Sequence, residues 1–262
     1  MAAFRRQLGE QVLDLACDIA RQVVRQELKV NTRHLRAVIG EALELVVFNS
    51  SADWKRYGGA LFGGVSTDNG GIYIEGDPAR PGNQARFFAY EAEWKRPAFQ
   101  VWNLRHEYVH YLDGRFNQYG SFGHYPLNRT TWWSEGLAEF IAHGQCFARG
   151  MDNVAGRPAT ERPSLADILH LDYDKGGEMV YSWSYTVHRF LNETGRGASW
   201  LAMARALRNP DQQQAMSAFE AELDQLIAND SEAYQSWLSR DLLPWWEANK
   251  ESDECKANDS SH

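Results

Sequence analysis

The chain has 262 residues, enough for one large domain or two small lobes around a real core. Hydrophobic residues make up 44%, which argues against disorder, and the formal charge of −8 disfavours nucleic acid or anionic lipid as the main partner. No apolar run approaches the roughly 20 residues that span a bilayer, and the start, Met1-Ala-Ala-Phe-Arg-Arg, lacks the apolar stretch of a signal peptide.

Apolar positions Leu8, Val12, Leu15, Ile19, Val23 and Val24 recur near a 3.6-residue period, so the spacing predicts a first helix. Asn31-Thr32 reads as a break and a fresh cap, with a second helix from Thr32 to Phe48. The run from Gly58 to Ser66 and the run Ile72-Tyr-Ile-Glu75 are β-prone, separated by Asp68-Asn-Gly-Gly71. That is a hairpin or edge-strand signature. Gly76 to Asn83 reads as loop. A helix is expected over about 101–113, irregular chain over 114–128, and a helix from Trp133 to about Arg149 with Ser134 as its cap. Helices follow over 164–171, 178–193, 198–208, 210–228 and 231–246, and the polar tail 249–262 is expected to be disordered. Strands are confined to the first half, which predicts an α+β arrangement of two lobes, 1–116 and 117–248, within one domain. Cys17, Cys146 and Cys255 are far apart with no CxxC pair, so no disulfide framework is expected, and one bridge is compatible with the count.

The chemistry is concentrated in His106-Glu-Tyr-Val-His110. Two His at i and i+4 lie on nearly one helix face, so both imidazoles reach one ion. Glu107 is rotated by about 100° from His106, which puts it beside the ion without filling a ligand position. From there it can take a proton from a water on the metal. Zinc suits such a site, since it accepts nitrogen and oxygen ligands and lowers the pKa of bound water toward about 7. A third protein ligand is needed, and Glu135 in Trp132-Trp-Ser-Glu-Gly-Leu-Ala-Glu139 is the candidate. Glu139, one turn further on the same face, is placed to fix the tautomer of a ligand His. A bare His-Glu-x-x-His string arises by chance in roughly one or two chains per hundred of this length, so the downstream Glu pair carries much of the weight.

Other features read two ways. Asn69-Gly70-Gly71 is either a plain turn or an edge whose glycines admit a substrate backbone. Glu75 is either a solvated strand-end carboxylate or a ligand for a second metal. Tyr181, Tyr185 and His188 share a helix face, and a tyrosine there is either an oxyanion donor or an interface aromatic. His34, His124, His143 and His170 show no partner pattern.

Three stretches resemble the bacterial collagenases, the gluzincin-type metallopeptidases, closest to the Vibrio type: Asp68-Asn-Gly-Gly-Ile-Tyr-Ile-Glu75, Arg105-His-Glu-Tyr-Val-His-Tyr-Leu-Asp-Gly-Arg-Phe116 and Trp132-Trp-Ser-Glu-Gly-Leu-Ala-Glu-Phe140. The resemblance covers about residues 1–246. It implies a thermolysin-like peptidase fold and a secreted, extracellular enzyme. It also implies zinc on His106, His110 and Glu135, with Glu107 as general base and Glu139 behind the ligands. Gly70 and Gly71 would be the substrate edge, and Tyr185, with Tyr181 in reserve, the oxyanion donor. A structural calcium is implied at Glu75 with carbonyls around 109–114. The activator and collagen-binding modules of such enzymes have no counterpart in these residues, so the expectation is a peptidase unit alone.

The reading from sequence is therefore a monomeric zinc endopeptidase acting on collagen or gelatin chains, without nucleic acid or membrane. The alternatives are a metallo-aminopeptidase of the same clan, for which no amine-holding motif is visible, and an inactive binding module.

Overall fold

The chain divides into two compact units, Met1–Leu43 and Glu44–His262. The structure, a computed structural model, describes residues 43–64, 66–76, 83–118 and 125–260, which fall almost wholly in the second unit. The first predicted helix, most of the second, His34 and His124 lie outside the described residues.

The described chain opens with a strand, β1 (Glu44–Phe48), where the second helix was expected to end. Its β-branched centre, Val46-Val47, suits a pleated surface, and the helical period upstream does not extend across it. Helix α1 (Ser51–Leu61) follows, with Ser50 accepting from the Asp53 amide at 3.0 Å. It takes up the first part of the glycine-rich run that was expected to be a strand. Strand β2 (Gly71–Ile74) confirms the expected edge, and β3 (Arg86–Tyr90) is a strand the sequence pattern did not signal. The sheet has the order β1-β3-β2, with β1 parallel and β2 antiparallel to β3. One face packs Ile72, Ile74 and Val46 around Trp54, Phe88 and Tyr90. On the other, Tyr73 meets Tyr111 edge-on at 5.9 Å.

Helices occupy nearly all of the rest. They are α2 (Leu104–Phe116), α3 (Leu127–His143), α4 (Ala148–Gly156), α5 (Leu165–Ile168), α6 (Gly177–Glu193), α7 (Gly197–Leu207), α8 (Gln212–Trp237), α9 (Leu243–Asn249) and α10 (Asp253–Ser260). A π-helical turn (Leu238–Leu242) joins α8 to α9. The whole is an α+β arrangement with a small mixed sheet. Among the described residues no helix is long and apolar enough to cross a membrane.

Three helix expectations need correction. Helix α3 begins at Leu127, so Ser134 is interior, where its hydroxyl accepts from Gln118 Nε2 at 2.9 Å. The break expected near 229–230 is absent: α8 runs through it, with Ser231 bonding back to the Ile227 carbonyl and Asp230 held by Arg196. The tail is ordered in part, because α10 is joined to the α3–α4 connection by a disulfide between Cys146 and Cys255.

The site's position follows from two packings. Helix α2 lies against β2 and α3, and α3 lies against α6. The second contact is close because of Gly136: a Cβ there would stand 2.6 Å from the Ser184 carbonyl oxygen. Asp113, buried near the end of α2, accepts from Trp133 Nε1 of α3 at 3.3 Å and from Asn117 and Gln118. It ties the two site-bearing helices together.

Candidate metal centre

Helix α2 starts from Asn103, the only non-glycine residue with positive φ among those described, at φ 58°. Asparagine tolerates this left-handed conformation better than most residues. Its side-chain amide donates to Glu107 Oε1 at 2.9 Å. The same residue thus opens the helix and orients the carboxylate one turn along it.

His106 and His110 project from α2 to meet Glu135 from α3. Their Nε2 atoms are 2.9 Å apart, and Glu135 Oε2 lies 3.0 Å from the first and 3.4 Å from the second. All three residues are buried, with Glu135 Oε2 turned to both imidazoles. Four-coordinate metal bonds of about 2.0–2.1 Å place ligand atoms about 3.3 Å apart, so this spacing fits a metal ion. The electrostatics agree. Burial works against charge on His106, but Glu139 and Glu135 outweigh it and raise its pKa well above the ordinary value. Burial opposes charge on Glu135 as well, yet the two imidazoles hold its carboxyl far below the usual range. The cluster attracts positive charge and keeps the Glu135 carboxylate ionised.

Behind the cluster runs a chain of contacts. His106 Nδ1 faces Glu139 Oε1 at 3.3 Å, and Glu139 Oε2 faces His143 Nε2 at 2.9 Å. Burial disfavours the Glu139 anion, but His106 and His143 hold its pKa down at about 2. His143 was expected to be unremarkable, yet it joins this chain and lines the cleft. The i, i+4 spacing of Glu139 and His143 was the available signal.

The cluster opens into a cleft of about 740 Å³, lined also by Gly70 and by Gly71, Ile72 and Tyr73 of the edge strand. Glu107 lines it too. Burial pushes its pKa up, against the lowering influence of His110 and His106. Both glycines are also required by packing. A Cβ at Gly70 would stand 2.2 Å from Trp102 Nε1, and one at Gly71 would stand 2.8 Å from the Phe88 carbonyl oxygen.

Among the described residues two tyrosines face the cluster, and neither is Tyr185. Tyr185 is fully buried and donates to the Gly144 carbonyl at 2.9 Å. Its neighbour on the face, His188, is wedged against Trp132 and Trp133 and accepts from Trp200. Only the first two turns of α6 reach the cleft, because α3 and its exit loop cover the later ones. Tyr181 stands there, its ring 5.9 Å from that of His106. Glu135 and burial raise its pKa far above the ordinary value, so its hydroxyl stays protonated. Tyr173, from a short turn before α6, donates to Glu135 Oε1, a contact with no counterpart in the sequence reading. Glu75 lies outside the cleft lining, buried next to Gly114, with Arg115 on its carboxylate at 3.0 Å.

The fold and the site define a class: a His-Glu-x-x-His helix closed by a glutamate from the next helix, the arrangement of metal-dependent peptidases. Residues 6–234 match the peptidase family M9, collagenase, and the chain belongs to that family. It is similar to the microbial collagenase of Vibrio alginolyticus, 40% identical over 169 residues, 64% of this chain and 20% of that protein. Collagenase ColA of Bacillus cereus is 38% identical over 224 residues, covering 78% of this chain and 22% of its own. ColA of Clostridium perfringens is 30% identical over 180 residues, covering 65% and 15%. The chain spans about a fifth of the length of the curated relatives it matches.

Proposed function

We propose that this chain is a zinc-dependent endopeptidase, secreted and extracellular, that cleaves collagen-derived or gelatin-like chains on a thermolysin-like scaffold. One observation carries the reading: three ligand atoms converge with Glu107 beside them, at the floor of a cleft walled by an edge strand. His106, His110 and Glu135 would hold the zinc, which would polarise the scissile carbonyl and acidify a bound water.

The chain's own groups do the rest. Among the described residues the outer edge of β2 pairs with no strand, so an extended substrate can add to it alongside Gly70-Gly71. Glu107 takes the proton that water loses as it attacks, and its raised pKa suits it to pass that proton to the departing amine nitrogen. Asn103 keeps the Glu107 carboxylate turned to the cleft. The oxyanion role belongs to Tyr181, whose hydroxyl can donate as charge grows on the carbonyl oxygen. Glu139 and His143 hold His106 in the tautomer that turns Nε2 to the metal. The calcium reading keeps Glu75, whose buried carboxylate adjoins the last turn of α2.

Gelatin cleavage with and without a zinc chelator tests the reading, with Glu107→Gln in parallel. The variant should bind about one zinc per chain and lose several orders of magnitude in rate. Near wild-type activity of that variant would rule out Glu107 as the base. A cleft for one strand also predicts faster cleavage of heat-denatured collagen than of the triple helix, in which no chain is separately accessible.

A further inference from the structure

Glu135 has two carboxylate oxygens with different surroundings. Oε2 faces both imidazoles, and Oε1 accepts a hydrogen bond from the Tyr173 hydroxyl. Tyr173 stands on a 3₁₀ turn (Tyr173–Lys175) built to hold it there. Asp172 Oδ1 accepts from the Asp174 amide at 3.0 Å, and Gly176, at φ 88°, reverses the chain into α6. Just before the turn, Leu171 is buried and anchors its start. The residue is 39% exposed, so packing alone does not retain it over the cleft. The contact with Glu135 gives it a fixed place.

A carboxylate on a metal can offer either oxygen or both, and its torsion is soft unless something holds it. Hydrogen bonds to an ionised group are roughly twice as strong as neutral ones, so one O–H on Oε1 is enough to choose. We propose that Tyr173 is a positioning residue for the metal centre: it holds Oε1, so that Glu135 presents Oε2 alone and leaves the remaining coordination position open to substrate. The inference rests on the metal reading of the site. It also gives the turn before α6 a role of its own, because displacement of that turn would release the glutamate.

Tyr173→Phe removes the hydroxyl and keeps the ring. Zinc affinity, measured by competition with a chromophoric chelator, should fall about tenfold, the low end for loss of a group that orients a ligand. The visible absorption of the cobalt-substituted protein should change, because the oxygen environment of the ion changes. On a peptide substrate kcat should fall with KM little moved. Tyr181→Phe is the comparison: it removes a hydroxyl from the same cleft that makes no bond to a ligand, and should leave zinc affinity at the wild-type value. Unchanged affinity and an unchanged cobalt spectrum in Tyr173→Phe would overturn the proposal, as would a rise in KM alone, which marks a substrate contact. If the wild-type chain itself fails to bind zinc, the metal reading fails instead, and the two failures are distinct.

Discussion

Tyr181 and Tyr185 are four residues apart on one helix face, yet their hydroxyls answer to different demands. Tyr181 has the cluster in front of it, and Tyr185 has the Gly144 carbonyl. Tyr181→Phe should therefore lower kcat with little change in KM, a loss of about 2–4 kcal/mol in transition-state stabilisation. Tyr185→Phe should leave the kinetics of the folded protein near wild type and cost about 1–2 kcal/mol of stability, since it strips a buried hydrogen bond. Kinetics and urea unfolding on both variants give four readings. A large kcat loss at Tyr185 with none at Tyr181 would return the oxyanion role to the deeper residue. The candidate ligands were legible in the chain because their geometry is local: i, i+4 on one helix and a glutamate near the start of the next expected one. Tyr173 was not legible, since its contact spans 38 residues and comes from an irregular turn. Asn103 carried a faint signal, an Asn four residues ahead of a Glu, which gains meaning only with the left-handed backbone.

At the scale of elements, the approach of α3 to α6 sets where Glu135 stands. Gly136→Ala would put a methyl 2.6 Å from a backbone carbonyl of α6 and 2.7 Å from the His188 ring, so a helix must shift. Overpacking of this kind costs about 1–3 kcal/mol. Because Glu135 rides on the same turn, zinc affinity should fall along with the urea midpoint. A variant as stable as wild type, with equal metal affinity, would show that the two helices have room to spare. The helical half was largely readable from apolar spacing, and α6 and α7 lie within a residue of their expected starts. The sheet was less so. Strand β3, Arg86-Phe-Phe-Ala-Tyr90, is central and nearly all buried, so it shows no alternation to read. The glycine-rich run became partly helix because Gly58 allows the Trp54 ring to lie against its backbone, 2.4 Å from where a Cβ would be. In α8 the Asn229-Asp230-Ser231 break signal lost to tertiary contacts, chiefly the Arg196–Asp230 pair.

Across the whole molecule, the Cys146–Cys255 bridge closes 109 residues of sequence. Cross-links over such loops remove chain entropy from the unfolded state, and losing one typically costs about 2–5 kcal/mol. Cys255→Ser should lower the unfolding free energy by that amount, and a phosphine reductant should do the same to wild type without competing for zinc as a thiol would. If neither moves the urea midpoint, α10 is held by its packing alone. Such a bond persists in oxidising surroundings, which accords with the proposed secretion. It also imposes a chronology on the newborn chain. Cys17 and Cys146 both emerge from the ribosome before Cys255, which follows Cys146 by 109 residues. In that interval Cys17 is the competing thiol among these 262 residues, and pairing with it excludes the native bridge. Correct oxidation must then wait for Cys255 or pass through thiol exchange. The connection between His143 and Phe147, both of which line the cleft, thus receives its covalent anchor only after the helices that separate the two cysteines in sequence have been made.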